Sequence, residues 1–113
     1  MIMEKITLCG ANSYQEKYYF NEDFSELPEE VKNELKAACV LFTEEAGGII
    51  TLEFDAEGSL MVNIASDERD YLYDEIEAQL LVRKLLSEKS ELFEKLELYF
   101  RAKSRLQKKD GAN

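Results

Sequence analysis

The chain has 113 residues, of which 45% are hydrophobic, and a formal net charge of −10. This length suits one domain, and the apolar content is sufficient for a hydrophobic core. The sequence contains no histidine and two cysteines. The side chains that most often act as acids, bases or activated nucleophiles near neutral pH are therefore absent or lack a histidine partner. We expect a protein that is not an enzyme, without catalytic residues or a cofactor.

The charge is unevenly distributed along the chain. Residues 1–82 carry five basic and nineteen acidic side chains, whereas residues 83–113 carry nine basic and five acidic ones. An acidic body disfavours nucleic acid as a direct ligand, because phosphate contacts require a cationic surface. In the basic part, glutamates are interleaved with the lysines and arginines, which is typical of a solvated helix face. We expect no nucleic-acid partner.

The N-terminal residues and the cysteines indicate a cytoplasmic protein. Residues 1–5 (MIMEK) lack the basic and apolar regions of a signal peptide, and no apolar run is long enough to span a bilayer. Cys9 and Cys39 lie among apolar residues, which favours buried, reduced thiols over a disulfide. We expect a cytoplasmic location and no membrane association.

Two short β-prone segments open the chain. Residues 5–9 end at Gly10, and glycine commonly terminates a strand. Residues 13–16 (SYQE) have the form of a capping box, which favours a helical turn, but residues 17–20 (KYYF) have strand composition. We interpret 16–21 as a strand and keep a helix over 13–20 as the alternative.

Pro28 opens the clearest helix of the first half, because proline suits the first helical turn. Apolar residues then recur at i, i+4, i+7, i+8 and i+11, which places them on one helix face. They are Val31, Leu35, Ala38, Cys39 and Phe42. The glycine pair at 47–48 ends this helix, which we predict near 28–46.

A β-hairpin is predicted over residues 49–64. Segments 49–54 and 60–64 alternate apolar and polar residues on either side of the turn sequence DAEG at 55–58. That spacing suits a type I turn closed by Gly58 in the left-handed region. One face of the resulting sheet is apolar, so helices should pack on it.

The rest of the chain has a helical pattern, beginning at one of two candidate N-caps, Ser66 or Asp67. Leu72, Ile76 and Leu80 form one apolar stripe, and a second stripe, out of phase with the first, extends over residues 85–100. We predict two helices, 67–80 and 82–105, that meet within 77–82. One bent helix is the alternative.

Together these elements predict an α+β fold in one domain, residues 1–105. A small antiparallel sheet, built on the hairpin and larger if the N-terminal strands join it, packs against the helices near 28–46, 67–80 and 82–105. Residues 106–113 should form a frayed tail.

Four carboxylates fall at i, i+3, i+7 and i+10, on one face of the predicted helix 67–80: Asp67, Asp70, Asp74 and Glu77. Oxygen ligands of this kind suit Ca²⁺ or Mg²⁺, but the segment lacks the loop of a calcium hand. A solvated acidic face is the favoured interpretation, and we predict no metal ligands. Tyr71 adds an aromatic ring, so the four carboxylates and Tyr71 are the candidate interaction surface.

Three stretches of the sequence together carry a resemblance to a known family. They are residues 8–14 (LCGANSY) with the following 17–19, residues 39–48 (CVLFTEEAGG) and residues 70–76 (DYLYDEI). They resemble a family of short acidic proteins of unknown function from clostridial bacteria. The resemblance covers residues 4–101 and implies a bacterial, cytoplasmic protein. The family has no activity attached, so the resemblance implies no functional residues.

The acidic surface with its tyrosines favours a non-enzymatic protein–protein interaction module. Acidic surfaces accelerate the encounter with basic partners and disfavour nucleic acid. A small-ligand or divalent-cation-binding domain that uses the carboxylate face is the alternative.

Overall fold

Four antiparallel strands and three α-helices make up the part of the chain that the computed structural model describes, residues 5–111, with side chains up to Arg105. This confirms the predicted α+β class. The strands are β1 (Ile6–Asn12), β2 (Lys17–Phe20), β3 (Ile49–Phe54) and β4 (Leu60–Ala65). The helices are α1 (Glu29–Ala46), α2 (Glu75–Glu88) and α3 (Ser90–Gly111), and a short 3-10 helix lies at Glu22–Phe24.

The sheet has the strand order β2-β1-β3-β4, and each neighbouring pair is antiparallel. The pairing of β1 with β3 joins the N-terminal hairpin to the central one, so the N-terminal strands do belong to the sheet. Residues 17–20 form a strand and residues 13–16 a turn. The strand interpretation is therefore confirmed, and the helical alternative is wrong. In that turn Glu16 has a positive φ of 52°.

One face of the sheet is buried beneath the helices. Ile50, Leu52 and Phe54 alternate along β3 and are fully buried, because helix α1 packs over β1 and β3. The pairing register shifts between Thr7 and Cys9. An extra residue at such a bulge interrupts the alternation of side chains between the two faces of the sheet. Two consecutive residues of β1, Leu8 and Cys9, can therefore both be fully buried.

The predicted stripe of α1 faces this sheet. Leu35, Cys39 and Phe42 are buried, and Val31 and Ala38 pack against the core from its edge. Cys39 meets Cys9 of β1, with 3.9 Å between the two Sγ atoms. Both thiols are free and fully buried, as predicted.

Helix α3 is held against the start of the chain by aromatic rings. Phe100 stacks on Phe54 with 4.2 Å between ring centroids and 4° between ring planes. Phe24 of the 3-10 helix packs against both rings. The Lys103 ammonium lies 4.8 Å from the centre of the Phe24 ring and forms an ion pair with Glu26 at 3.1 Å. The part of α3 around Phe100 therefore packs against the core.

Helix α2 begins at Glu75, so the predicted start at 67 is wrong. The carboxylates of Asp67 and Asp70 accept the backbone N–H groups of Arg69 and Leu72, each two residues ahead. Such local turns compete with helical hydrogen bonding. The N-cap is Asp74, whose carboxylate accepts the N–H groups of Ile76 and Glu77. Neither Ser66 nor Asp67 has that role.

Two helices, rather than one bent helix, follow this N-cap, but they meet at Lys89 instead of within 77–82. The apolar residues that α2 turns toward the core continue in phase through that interval: Ala78, Leu81, Val82 and Leu85. The backbone leaves helical geometry only at Lys89, with φ −108° and ψ 18°. Helix α3 is described up to Gly111, and the frayed tail predicted for 106–113 lies largely outside the described side chains, so it stays a prediction.

The turn of the central hairpin depends on Gly58, which has φ +84°. A Cβ at this position would lie 2.8 Å from Cγ of Arg101. We expect Gly58→Val to lower the free energy of unfolding by about 1 kcal/mol or more, because a branched side chain fits poorly in the left-handed region. Urea unfolding measures this change. Glu57→Ala, one residue earlier in the turn, is the control and should stay within about 0.5 kcal/mol of the wild type. Equal stability of both variants would contradict the turn geometry.

Candidate functional site

Three connections of the fold meet at one end of the sheet. They are the turn between β1 and β2, the glycine pair 47–48 that joins α1 to β3, and the segment 66–74 that joins β4 to α2, here called the 66–74 loop. The strand register places them together, because Ile49 lies opposite both Asn12 and Ala65. The backbone N–H of Ser13 donates to the carbonyl of Gly48 at 2.9 Å, which ties the first two connections directly.

The Tyr14 hydroxyl ties the 66–74 loop to the β1–β2 turn. It accepts the backbone N–H of Asp67 at 3.0 Å and donates to Oδ2 of Asp70 at 2.6 Å. The hydrogen bond to the Asp70 carboxylate raises the pKa of Tyr14 above its ordinary value, so the hydroxyl stays protonated and remains a donor near neutral pH. One side chain thus fixes two points of the loop.

Tyr73 holds the same loop against the glycine pair. A Cβ on Gly48 would lie 2.7 Å from the Tyr73 ring and 2.6 Å from the carbonyl oxygen of Ala65, distances that real Cβ atoms do not reach. Gly48 also has a positive φ of 71°. The close approach of the ring therefore requires glycine here. Burial raises the pKa of the Tyr73 hydroxyl, which has no hydrogen-bond partner among the described residues.

The five residues predicted as an interaction surface do not share a helix face. Asp67, Asp70 and Tyr71 lie in the 66–74 loop, Asp74 caps α2, and only Glu77 is inside the helix. The error comes from the helix start, since the i, i+3, i+7 spacing has no helical meaning before residue 75. Their role in an interaction stays a prediction.

Each carboxylate of the loop already accepts hydrogen bonds from the protein. Asp67 accepts the backbone N–H of Arg69 and pairs with its guanidinium at 3.2 Å, and these contacts hold the pKa of Asp67 below its ordinary value. Asp70 accepts from Tyr14 and Leu72, and Asp74 caps the helix. Among the described residues, no three acidic or thiol side chains come together as a possible metal-ligand set. These contacts show that the acids have a structural role: they hold the 66–74 loop and cap α2.

The most unusual feature of this part of the chain is a group of exposed apolar side chains that lie close together in sequence, which we name the apolar strip: Tyr71, Leu72, Ile76 and Leu80. Their exposed fractions are 90%, 96%, 75% and 58%, respectively. The sequence pattern grouped the last three as one stripe, which a soluble helix normally turns toward its core. The structure instead leaves all three exposed, and Leu72 lies before the helix, in the 66–74 loop.

Helix α2 is apolar on two opposite sides. At about 100° per residue, Ile76 and Leu80 lie on average about 170° around the helix from its core-facing residues, which are Ala78, Leu81, Val82 and Leu85. The core-facing side meets α1, whereas Ile76 and Leu80 on the outer side stay largely exposed. Ile76 and Leu80 line a shallow groove of about 480 Å³ together with Glu75, Gln79 and Arg83.

Charged side chains flank the strip. Glu68, Asp74, Glu75 and Glu77 are exposed and lie within a few residues of it in sequence. Arg69 is also exposed but pairs with Asp67, and the exposed Arg83 and Lys84 follow Leu80 on α2. The strip is therefore flanked by acids in the loop and in the first turn of α2, and by two basic residues beyond Leu80.

The start of α2 and its core-facing stripe both have a signal in the sequence. The run DEIE at 74–77 has the capping-box spacing, with an acid at the N-cap and a glutamate three residues later, and it marks the true start of α2. That start leaves Ala78, Leu81, Val82 and Leu85 as a second, competing stripe. The bridge from Tyr14 to the 66–74 loop has no such signal, because its partners lie more than fifty residues apart.

Comparison with known proteins identifies the family. The model of a family of unknown function, DUF6145, matches residues 5–109. The chain belongs to this family. The resemblance to a family of unknown function is thereby confirmed, while the clostridial source stays a prediction. The three stretches that carry the resemblance contribute Tyr14, Gly48 and Asp70, so in this member of DUF6145 they meet at the end described above.

Neither the curated proteins nor the solved structures contain a match to this DUF6145 chain. The helices of residues 5–111 include none with the length and apolar character needed to cross a bilayer.

If Tyr14 fixes the 66–74 loop, its hydroxyl should control the opening of that loop. We expect Tyr14→Phe to make backbone amide exchange over 67–73 several-fold faster, because the N–H of Asp67 loses its acceptor and Asp70 loses its tether. Hydrogen–deuterium exchange with mass spectrometry measures this.

The matched control is Tyr19→Phe. Tyr19 is 55% exposed, and its hydroxyl has no hydrogen-bond partner among the described residues, so exchange in the loop should not change. Exchange at the wild-type rate in both variants would show that the tether does not hold the loop in solution.

Proposed function

We propose that this DUF6145 protein is a non-enzymatic protein–protein interaction module that binds its partner through the apolar strip. The observation that carries the proposal is the exposure of four large apolar side chains that lie close together in sequence, Tyr71, Leu72, Ile76 and Leu80. A single exposed leucine is ordinary, but several large exposed apolar side chains among polar ones are typical of a binding surface. Complete burial of one such side chain contributes roughly 1.5–3 kcal/mol.

The charge around the strip indicates the chemistry of the partner. The exposed acids at 68, 74, 75 and 77 favour an approaching surface of opposite sign and disfavour phosphate-rich ligands. We therefore propose a partner segment with apolar side chains for the strip, flanked by lysines or arginines. An amphipathic basic helix has this composition and would lie along the groove beside Ile76 and Leu80.

The fixed geometry of the loop supports the same function. Tyr71 and Leu72 would be costly to order on binding if the 66–74 loop were free. Tyr14, Tyr73 and Asp74 hold its backbone before any partner arrives, and such preorganisation reduces the entropy lost on association. The free, buried thiols suit a reducing compartment such as the bacterial cytoplasm, where we place the interaction.

The alternative, a divalent-cation-binding domain, has less support. A cation at this end would have to compete with the hydrogen bonds that Asp67, Asp70 and Asp74 already accept. Removing these acceptors would also release the loop and the start of α2.

The proposal predicts that substitutions in the strip abolish partner binding but leave the stability of the protein nearly unchanged. We expect Leu72→Ser with Ile76→Ser to leave the free energy of unfolding within about 1 kcal/mol of the wild type, because both side chains are exposed. In capture from a bacterial lysate, this double variant should lose a protein that the wild type retains. That protein should also dissociate at high salt, since charge contributes to the contact.

The control is Leu98→Ser on α3, which replaces a leucine that is 65% exposed but distant from the strip in sequence. It should retain the captured protein. A synthetic segment of that protein with basic and apolar residues should bind the wild type and the control but not the strip variant. Equal binding by all three proteins would refute the strip as the docking surface.

A further inference from the structure

A second feature, distant from the strip, is the pair of thiols between the sheet and α1. Cys9 lies in β1 and Cys39 in α1, 30 residues apart in sequence, with 3.9 Å between their Sγ atoms. Both side chains are fully buried. The two sulfurs are in contact across a packed interface, and a disulfide requires them to approach to about 2.05 Å.

The surroundings distinguish the two sulfurs. Either sulfur can donate in the hydrogen bond between them. With Cys39 as the donor, that bond lowers the pKa of Cys9 and, together with burial, raises the pKa of Cys39. Because the thiolate is the reactive form, Cys9 is the better nucleophile toward an oxidant. Cys39 is then the neighbouring thiol positioned to attack an oxidised Cys9.

Tyr18 lies near the Cys9 thiol and also lines a groove at the surface. Its ring lines a groove of about 710 Å³ between α1 and the β1–β2 turn, together with Lys36 and Thr43. Its hydroxyl is buried without a hydrogen-bond partner among the described residues. Burial, followed by the negative charge of a Cys9 thiolate nearby, raises the pKa of this hydroxyl, so it stays protonated. Both thiols are fully buried and neither lines this groove, so a small oxidant reaches them only when the packing around them opens.

We propose that Cys9 and Cys39 are a modification site at which a peroxide forms an intramolecular disulfide between β1 and α1. The Cys9 thiolate attacks one peroxide oxygen, the O–O bond breaks, and hydroxide leaves and takes up a proton as water. The resulting Cys9 sulfenic acid is attacked by the sulfur of Cys39. The S–S bond forms, the S–O bond breaks, and the leaving hydroxide takes the Cys39 proton as a second water. Both sulfurs are oxidised by one electron each, and the two peroxide oxygens are reduced.

The test uses the full-length, wild-type protein and hydrogen peroxide. Trypsin should release residues 6–17 with Cys9 and residues 37–69 with Cys39, because lysine or arginine ends each segment. After peroxide treatment and alkylation in denaturant, we expect these two peptides as one disulfide-linked species that dithiothreitol separates. Met61 in the second peptide is half-buried, and its oxidation reports independently that peroxide has acted on the protein.

Two variants test the order of the steps. In Cys39→Ser the reaction should stop at Cys9 sulfenic acid, which dimedone traps. In Cys9→Ser, Cys39 should remain a thiol over the time in which the wild type loses both. The proposal is overturned if wild-type protein with oxidised Met61 keeps both thiols. It is also overturned if the thiols become sulfinic or sulfonic acids without the linked peptides, or if disulfides form only between molecules.

Discussion

The antiparallel pairing of β1 with β3 is the constraint on which the rest of the molecule depends. It joins two hairpins, each marginal alone, into one sheet with a single apolar face. The register of that pairing places Asn12 opposite Ile49, so the turn after β1 and the glycine pair before β3 lie at the same end. Because β4 returns to this end at Ala65, the loop that follows it starts beside Tyr14. A slip by one residue would turn the apolar face outward and separate Tyr14 from its partners.

The two apolar sides of α2 have different physical causes. Contact with α1 explains Ala78, Leu81, Val82 and Leu85, since burying them stabilises the packing of the helix. The same packing cannot explain Ile76 and Leu80, because a helix covered on one side buries only one stripe. Ile76 and Leu80 are largely exposed, so their contribution to that packing is small. This is the reason for proposing that a partner covers them.

The sequence predicted those parts of the fold that depend on neighbours along the chain. The DAEG turn with alternating flanks identified the central hairpin, and proline and glycine gave the ends of α1 within a residue or so. The last two helices were misplaced because two apolar stripes compete between residues 72 and 86, and only contact with α1 selects one. At the candidate site, the acids and Tyr71 were found from composition. Contacts between distant parts of the chain determine that these residues lie in a loop, that Tyr14 holds it and that Leu72 is exposed. Sequence periodicity carries no information about such contacts.

The apolar strip also has a consequence for how the free protein behaves in concentrated solution. Molecules that expose such a strip would associate through it if nothing kept them apart, and here the mutual repulsion of chains with a net charge of −10 does so. This protection disappears as the pH approaches the isoelectric point near 4.5. Under the proposed function, the acids near the strip therefore have two effects: they attract a basic segment, and they add to the charge that keeps copies of the chain apart.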